Sequence, residues 1–152
     1  MIQPATDEIV KRGQLRTGMH VFDVATAIGD PAISLAKLAG PAGMVQVIDN
    51  VEAMLQAREE EAKRQGTSII SFKHASAESL PFPDEFFDLV TCKHGVMLFA
   101  DLESGLGEIL RVVNTGYRAV STAQEPTETN PWQACMTQGF SRYLTESPPP
   151  QG

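Results

Sequence analysis

Short apolar runs alternate along the chain with stretches of helical periodicity. Five runs rich in β-branched and aromatic residues predict strands, at about residues 20–24, 45–48, 68–72, 87–92 and 118–122. Between them, apolar residues recur every three or four positions, as they do on the buried side of a helix. Strands that alternate with helices in this way favour right-handed crossovers and helices on both faces of one sheet. We therefore predict an α/β fold, a Rossmann-like doubly wound, mostly parallel sheet of about five strands.

The helices are bounded by residues that commonly begin or end them. Asp30 and Pro31 suit the start of the second helix, while Asn50 is placed to cap the third and Gly66 to end it. A turn is predicted at residues 114–116, before the fifth strand. The predicted helices cover about residues 4–16, 31–39, 51–65, 102–113 and 132–144. Residues 1–152 form one predicted domain, with residues 145–152 as a flexible proline-rich tail.

Composition narrows the class of protein. The net charge of −7 disfavours nucleic acid or an anionic membrane as the main partner, because both would be repelled. The first residues lack the features of a secretory signal, and no apolar run approaches the ~20 residues of a membrane span, so we expect a cytoplasmic protein. Cys92 and Cys135 lack metal-binding or redox spacing. We expect both to be buried free thiols, and we predict no metal site.

Acidic residues end the first two predicted strands. Asp23 closes the run before a small-residue turn that contains Gly29, and Asp49 follows the second strand. The carboxyl ends of parallel strands meet at one edge of the sheet, so both acids are expected there. Asp49 lies 20 residues beyond Gly29, the interval at which an acid accepts hydrogen bonds from ribose hydroxyls. This pattern is shared by nicotinamide cofactors and methyl donors.

Asp23 favours the methyl donor. A carboxylate beside the turn would repel a pyrophosphate, whereas S-adenosylmethionine carries an ammonium and a sulfonium and has no phosphate. The sequence also lacks the G-x-G-x-x-G and G-x-x-x-x-G-K-[ST] patterns of phosphate-binding loops. We favour S-adenosylmethionine as cofactor, with a dinucleotide-binding protein as the weaker alternative.

Residues 21–36, VFDVATAIGDPAISLA, resemble motif I of the class I S-adenosylmethionine-dependent methyltransferases. The branch they resemble most is that of the ubiquinone/menaquinone-biosynthesis C-methyltransferases. The likeness continues, in the same order, through residues 43–59, 76–92, 99–113 and 130–132. The family's sheet has seven strands, and by this comparison the chain is expected to be shortened at both ends and to lack the last two strands.

The resemblance implies roles for particular residues. Backbone from Ala25 through Ala27 to Gly29 would approach the methionine part of the cofactor, and Asp49 would hold the ribose. Asn50 and Met54 would flank the adenine, Ser76 and Ala77 would bracket its amino edge, and Lys93 would face the methyl group. The candidate cofactor-binding residues are thus Asp23, Ala25, Ala27, Gly29, Asp49, Asn50, Met54, Ser76, Ala77 and Lys93. No catalytic residue is identified; His94 is a candidate base, with a pocket-lining role as its alternative.

Two functional hypotheses follow. The first is a methyltransferase, or its cofactor-binding core, that acts on a small organic acceptor. The second is a non-catalytic binding or assembly module, because Ala27 stands where the family usually has glycine and Ser76 where it often has an acid. An uncovered fifth strand would leave a sheet edge that proteins usually pair or cover. We therefore expect a homodimer formed through that edge or through the last helix.

Overall fold

A computed structural model describes residues 3–25 and 31–123 of the chain. The helices are α1 (Gln3–Gly13), α2 (Ala32–Ala39), α3 (Glu52–Arg64) and α4 (Leu102–Val112), with a short 3₁₀ helix at Val96–Leu98. The strands are β1 (His20–Val24), β2 (Met44–Asp49), β3 (Ile70–His74), β4 (Phe87–Lys93) and β5 (Val113–Thr122). Strands and helices alternate as the hydrophobic pattern predicts.

The five strands form one sheet in the order β3-β2-β1-β4-β5, and every pair is parallel. The chain builds outward from β1 to β2 and β3, then returns to the other side of β1 for β4. Ligands of open α/β sheets bind at such a reversal, outside the carboxyl ends of the strands. The predicted Rossmann-like fold is confirmed, and it places a crevice beside the ends of β1 and β4.

Apolar residues cover both faces of the sheet, because alternate residues of each buried strand point to opposite sides. On one face, helices α2 and α3 pack against the strands through residues that include Leu35, Ala36, Leu55, Val21 and Val47. On the other face, α4 packs through Ile109 and Val112 against residues that include Phe22, Val24 and Val90. Two layers of helices thus enclose a sheet whose central strands are buried, which explains their nearly continuous apolar sequences.

Predicted boundaries differ from the structure by more than one residue in three elements. Helix α1 ends at Gly13, three residues before the predicted end. Strand β3 begins at Ile70, two residues after the predicted start. The turn predicted at residues 114–116 lies inside β5, where Phe87 pairs with Val113 but Leu89 pairs with Arg118. Three additional residues of β5 therefore form a bulge, and Gly116 permits it with a φ of +84°. Residues 114–116 do interrupt the regular strand, as predicted. Because β5 pairs with β4 both before and after them, they form a bulge within one strand.

The helix caps also refine the predictions. Asp49, rather than the side chain of Asn50, accepts the N–H of Val51 at the start of α3.

Some predictions concern residues that the structure does not describe. These are Asp30, Cys135, the helix at residues 132–144 and the tail at residues 145–152. Cys92 is a buried free thiol, as predicted. In the part of the chain that the structure describes, no helix is long and apolar enough to cross a membrane.

Candidate functional site

A cavity of about 230 Å³ opens at the carboxyl ends of β1 and β2. It is lined by Val24, Ala25, Ile48, Asp49, Asn50, Val51, Met54, Ala75, Ser76, Ala77, Glu78, Gly95, Leu98 and Phe99. Its walls are mainly apolar, and its polar groups are gathered on the side of β2 and of residues 76–78.

Asp49 supplies a fixed carboxylate to the cavity. It ends β2, is 8% exposed, and accepts the N–H of Val51 through Oδ1 at 2.9 Å. That bond anchors the side chain at the start of α3. A carboxylate can accept about four hydrogen bonds, so it retains capacity for donors of a ligand. Neighbouring hydroxyl groups, such as those of a ribose, are donors that suit this arrangement.

Glu78 supplies a second carboxylate to the cavity wall. Glu78 accepts the hydroxyl proton of Ser76, and its Oε1 accepts the N–H of Ala100 at 2.8 Å. The bond from Ser76 is the main cause that holds the pKa of Glu78 below its ordinary value, so Glu78 is ionised at neutral pH. The loop after β3 is thereby joined to the loop after β4.

The electrostatic character of the cavity follows from these two acids. Among the described lining residues, Asp49 and Glu78 are the charged ones, and none carries a positive charge. A ligand with a pyrophosphate would meet two negative groups without a compensating cation. A ligand that carries positive charge and no phosphate is favoured instead.

The structure brings most of the predicted residues together. Those that line the cavity are Ala25, Asp49, Asn50, Met54, Ser76 and Ala77. Ala27 and Gly29 lie outside the described residues. Asp23 and Lys93 are described but are not among the lining residues, and both are buried.

Asp23 and Lys93 are buried on the sheet face that carries α1 and α2. Asp23 alternates with Val24 along β1 and so points away from the face that α4 covers. Its Oδ1 accepts the hydroxyl proton of Thr91 at 2.6 Å. Lys93 donates to Oγ1 of Thr6, a residue of α1, at 3.1 Å. The bond from Lys93 therefore attaches α1 to the end of β4.

The backbone leaves β1 and β4 in an unusual conformation. Ala25 has a φ of +54° and His94 a φ of +57°, in the left-handed region that penalises a side chain. His94 is half-buried, and its N–H donates to the carbonyl oxygen of Thr122 at 3.0 Å. Such strain on a packed sheet edge is typical of functional sites. His94 is not among the residues that line the cavity.

Sequence reasoning missed several lining residues. Glu78, Gly95 and Leu98 all contribute to the cavity. Glu78 lies only two residues beyond Ser76, so an acid close to a predicted ligand contact was the available signal. The other two follow β4, and only the reversal of strand order brings that loop against the ends of β1 and β2.

Comparison with known proteins identifies the family. Residues 5–149 match the profile of the ubiE/COQ5 methyltransferase family, which is nearly the whole chain. The chain belongs to this family. Its membership agrees with the acidic cavity at the end of β2 and removes the dinucleotide-binding alternative.

Individual relatives show the extent of the similarity. A demethylmenaquinone methyltransferase from Anoxybacillus flavithermus is 35% identical over 113 residues, covering 74% of this chain and 48% of the relative. The ubiquinone/menaquinone biosynthesis C-methyltransferase UbiE of Cupriavidus taiwanensis is 32% identical over 154 residues, covering 91% and 63%. The chain thus spans about half to two thirds of the length of these relatives. A solved SAM-dependent methyltransferase from Aquifex aeolicus shares the fold, with a TM-score of 0.73 at 21% identity over 90% of this chain and 78% of that one.

Proposed function

We propose that the chain binds S-adenosylmethionine in the cavity beside β1 and β2 and serves methyl transfer to a small organic acceptor. The observation that carries this proposal is the position of Asp49, a fixed carboxylate at the end of β2, beside a cavity whose described lining residues include no cation. A carboxylate there suits a ribose diol, and the acidic cavity suits a sulfonium ligand that has no phosphate. Membership in a methyltransferase family supports the same assignment.

The proposed contacts follow the lining residues. Asp49 holds the ribose hydroxyls, and Met54 and Asn50 flank the adenine. Ser76 and Ala77 lie at its amino edge. For the methionine part we propose the backbone of Ala25, Ala27 and Gly29. Asp23 and Lys93 lie on the neighbouring strands β1 and β4. The methyl donor supplies a sulfonium-bound methyl group, and the chain contributes chiefly the position and dehydration of the reacting groups.

The apolar surface beside the cavity supports an apolar acceptor. Met97 and Leu98, in the 3₁₀ helix after β4, are 47% and 71% exposed, and Leu98 also lines the cavity. The relatives' names refer to demethylmenaquinone, ubiquinone and menaquinone. We therefore propose a small aromatic quinol as the first acceptor class to assay. His94, at the end of β4, is the candidate base for a proton released from that acceptor.

Binding of the cofactor is the direct test. Isothermal titration of the protein with S-adenosylmethionine and with S-adenosylhomocysteine should give saturable heat, and either ligand should raise the melting temperature. The same protein titrated with NADH supplies the control for a dinucleotide, which we expect not to bind. Absence of heat and of a thermal shift at millimolar S-adenosylhomocysteine would reject the proposed function. Binding without any transfer to quinol acceptors would favour the non-catalytic binding module.

We propose further that the protein is a cytoplasmic homodimer that associates through β5. This strand lies at one edge of the described sheet, and Leu106 and Leu110 of α4 lie exposed beside it. With Val120 these leucines line an apolar groove of about 180 Å³ between α4 and β5. Light scattering after size-exclusion chromatography should show a dimer. Leu110→Glu should produce monomers, whereas Leu38→Glu, on the other face of the sheet, should not; a monomeric wild type would reject this association.

A further inference from the structure

A groove with a surplus of positive charge runs between α1 and β5. Its described lining residues are Glu8, Lys11, Arg12, Gln14 and residues 117–121. Arg118 lies two residues before Val120, which packs against the same apolar cluster as Val10 of α1. Alternate residues of a strand share a face, so Arg118 points to the side of the sheet that carries α1. The groove therefore lies on the opposite face from α4.

Lys11 and Arg118 give the groove its net charge. Glu8 is the acid among the described lining residues, and Arg12 pairs with it at 2.6 Å. Neither Lys11 nor Arg118 forms an ion pair with another described residue. The chain as a whole carries a charge of −7, so two such cations in one groove depart from its general character. A groove of this kind attracts an occupant that carries carboxylates.

The residues that follow β5 supply carboxylates and favour an extended backbone. Residues 124–131 read QEPTETNP, with Glu125 and Glu128 and no lysine or arginine. A residue that precedes a proline is biased towards extended conformations, and this stretch contains Pro126 and Pro131. Residues 117–119 and 121 of β5 are exposed, so the side of the strand is open to such a segment. The stretch thus suits the groove in both charge and shape.

This stretch is also long enough to return along β5. The strand ends at Thr122, and Arg118 lies four residues earlier, about 13 Å away at about 3.3 Å per residue. Glu128 follows Thr122 by six residues, which span up to about 20 Å of extended chain. A tight turn after the strand therefore leaves enough chain for Glu128 to come within side-chain reach of Arg118.

We propose that residues 124–131 fold back along β5 and occupy this groove, with the carboxylate of Glu128 against Arg118 and Lys11. The segment covers the α1 side of β5, whereas the apolar groove of the proposed dimer lies between α4 and β5 on the other face of the sheet. Exposed ion pairs are individually weak and are screened by salt, so docked and released states of the segment coexist. The docking does not depend on cofactor binding, and its failure would leave the proposed function intact.

Proteolysis of the full chain measures the balance between these states. When release is fast compared with cleavage, the cleavage rate follows the released population. Arg118→Glu replaces attraction with repulsion and should raise the rate of proteinase K cleavage within residues 124–131 by about two- to fivefold, the effect of one exposed ion pair. Combining it with Glu128→Arg restores opposite charges and should return the rate towards the wild-type value. Arg16→Glu, an equal change of charge at an exposed position outside the groove lining, is the control and should have little effect.

Trp132 provides a second readout that needs no cleavage. It is the only tryptophan of the chain and lies four residues beyond Glu128. Release of the segment should therefore increase the quenching of its fluorescence by acrylamide, a neutral quencher, and the charge-swapped double variant should reverse that increase. Cleavage and quenching that stay unchanged in Arg118→Glu, or that the double variant does not restore, would overturn the proposal. Protection that increases with protein concentration would also overturn it, because the occupant would then be a second copy of the chain.

Discussion

Gly95 leaves room for the methyl group of Ala25. A Cβ on Gly95 would lie 2.6 Å from Cβ of Ala25 and 2.7 Å from Sγ of Cys92, closer than such atoms can approach. The loop after β4 can therefore lie directly against the turn after β1 only because residue 95 has no side chain. Both residues line the cavity, so this close packing also sets the shape of its wall.

We expect Gly95→Ala to destabilise the protein by about 1–3 kcal/mol, the usual range for overpacking. The φ of Gly95 is −88°, which alanine adopts without strain, so the cost would come from the collision. The free energy of unfolding, measured by chemical denaturation, gives the size of this destabilisation. Gly107→Ala is the matched control, because a Cβ there meets nothing within 4 Å in a helix, and it should stabilise the protein by about 0.5–1 kcal/mol. Equal effects of the two variants would refute the collision.

Ala25→Gly should stabilise the protein even though it removes a contact. At a φ of +54°, alanine destabilises the folded state by about 1–2 kcal/mol, a strain that glycine avoids. Glycine gains more conformational freedom on unfolding, which lowers stability by about 0.5–1 kcal/mol. A net gain of roughly 0.5–1 kcal/mol is expected in urea unfolding. In the Ala25→Gly background, Gly95→Ala should destabilise the protein less than it does in the wild type. The destabilisation that remains would come from the contact with Cys92. A loss of stability in Ala25→Gly would show that the left-handed turn is not strained.

Asp49→Asn should weaken binding of S-adenosylhomocysteine by about 1–3 kcal/mol, because the amide loses the charge that would strengthen the proposed bonds to the ribose. Asparagine keeps an oxygen that can accept the N–H of Val51, so folding stability should change little. Glu59→Gln, which removes a charge from the exposed side of α3, should leave the affinity unchanged. Calorimetry on the three proteins checks the assignment, which an unaltered affinity in Asp49→Asn would contradict.

The sequence predicted that Asp49 and Asp23 end neighbouring strands, but it did not predict that only Asp49 lines the cavity. Both acids were expected at the same sheet edge, since parallel strands end together. Which face a strand residue points to depends on its place in the alternation and on which helices cover each side. These tertiary facts direct Asp23 to the face that α1 and α2 cover, and it does not line the cavity. The position of Glu78 in the cavity wall could not be predicted from the sequence for a related reason. It lies in a loop, and its partner Ala100 is 22 residues away along the chain.

Arg111 joins α4 to the loop that follows the cavity. Its guanidinium donates to the carbonyl oxygens of Leu80 and Phe82, at 3.1 and 2.8 Å, and to the carboxylates of Asp84 and Glu108. Arg111→Ala should destabilise the protein by about 1–3 kcal/mol, because partly buried carbonyls lose charged donors. Arg111→Lys should recover only part of that loss, since an ammonium cannot span several acceptors as the planar fork does. Full recovery in Arg111→Lys would show that charge alone matters.

Glu108 should make stability depend on pH in the acid range. Its hydrogen bond with Arg111, assisted by the N–H of Leu80, holds its pKa below the ordinary value of 4.5. A group whose pKa is lowered by folding stabilises the protein above its unfolded pKa and loses that contribution as the pH falls through its folded pKa. Glu108→Gln should therefore be less stable than the wild type at neutral pH, and the difference should shrink below about pH 4.5.

Urea unfolding of both proteins from neutral pH to about pH 3 measures this difference directly. Glu103→Gln, at an exposed position in the first turn of α4, is the control for a lost carboxylate that does not contact Arg111. Its difference from the wild type should be small at every pH, because an exposed helix charge contributes only a few tenths of a kcal/mol. A Glu108→Gln deficit that persists undiminished at the acid end would place its cause in packing rather than in the ionised pair with Arg111.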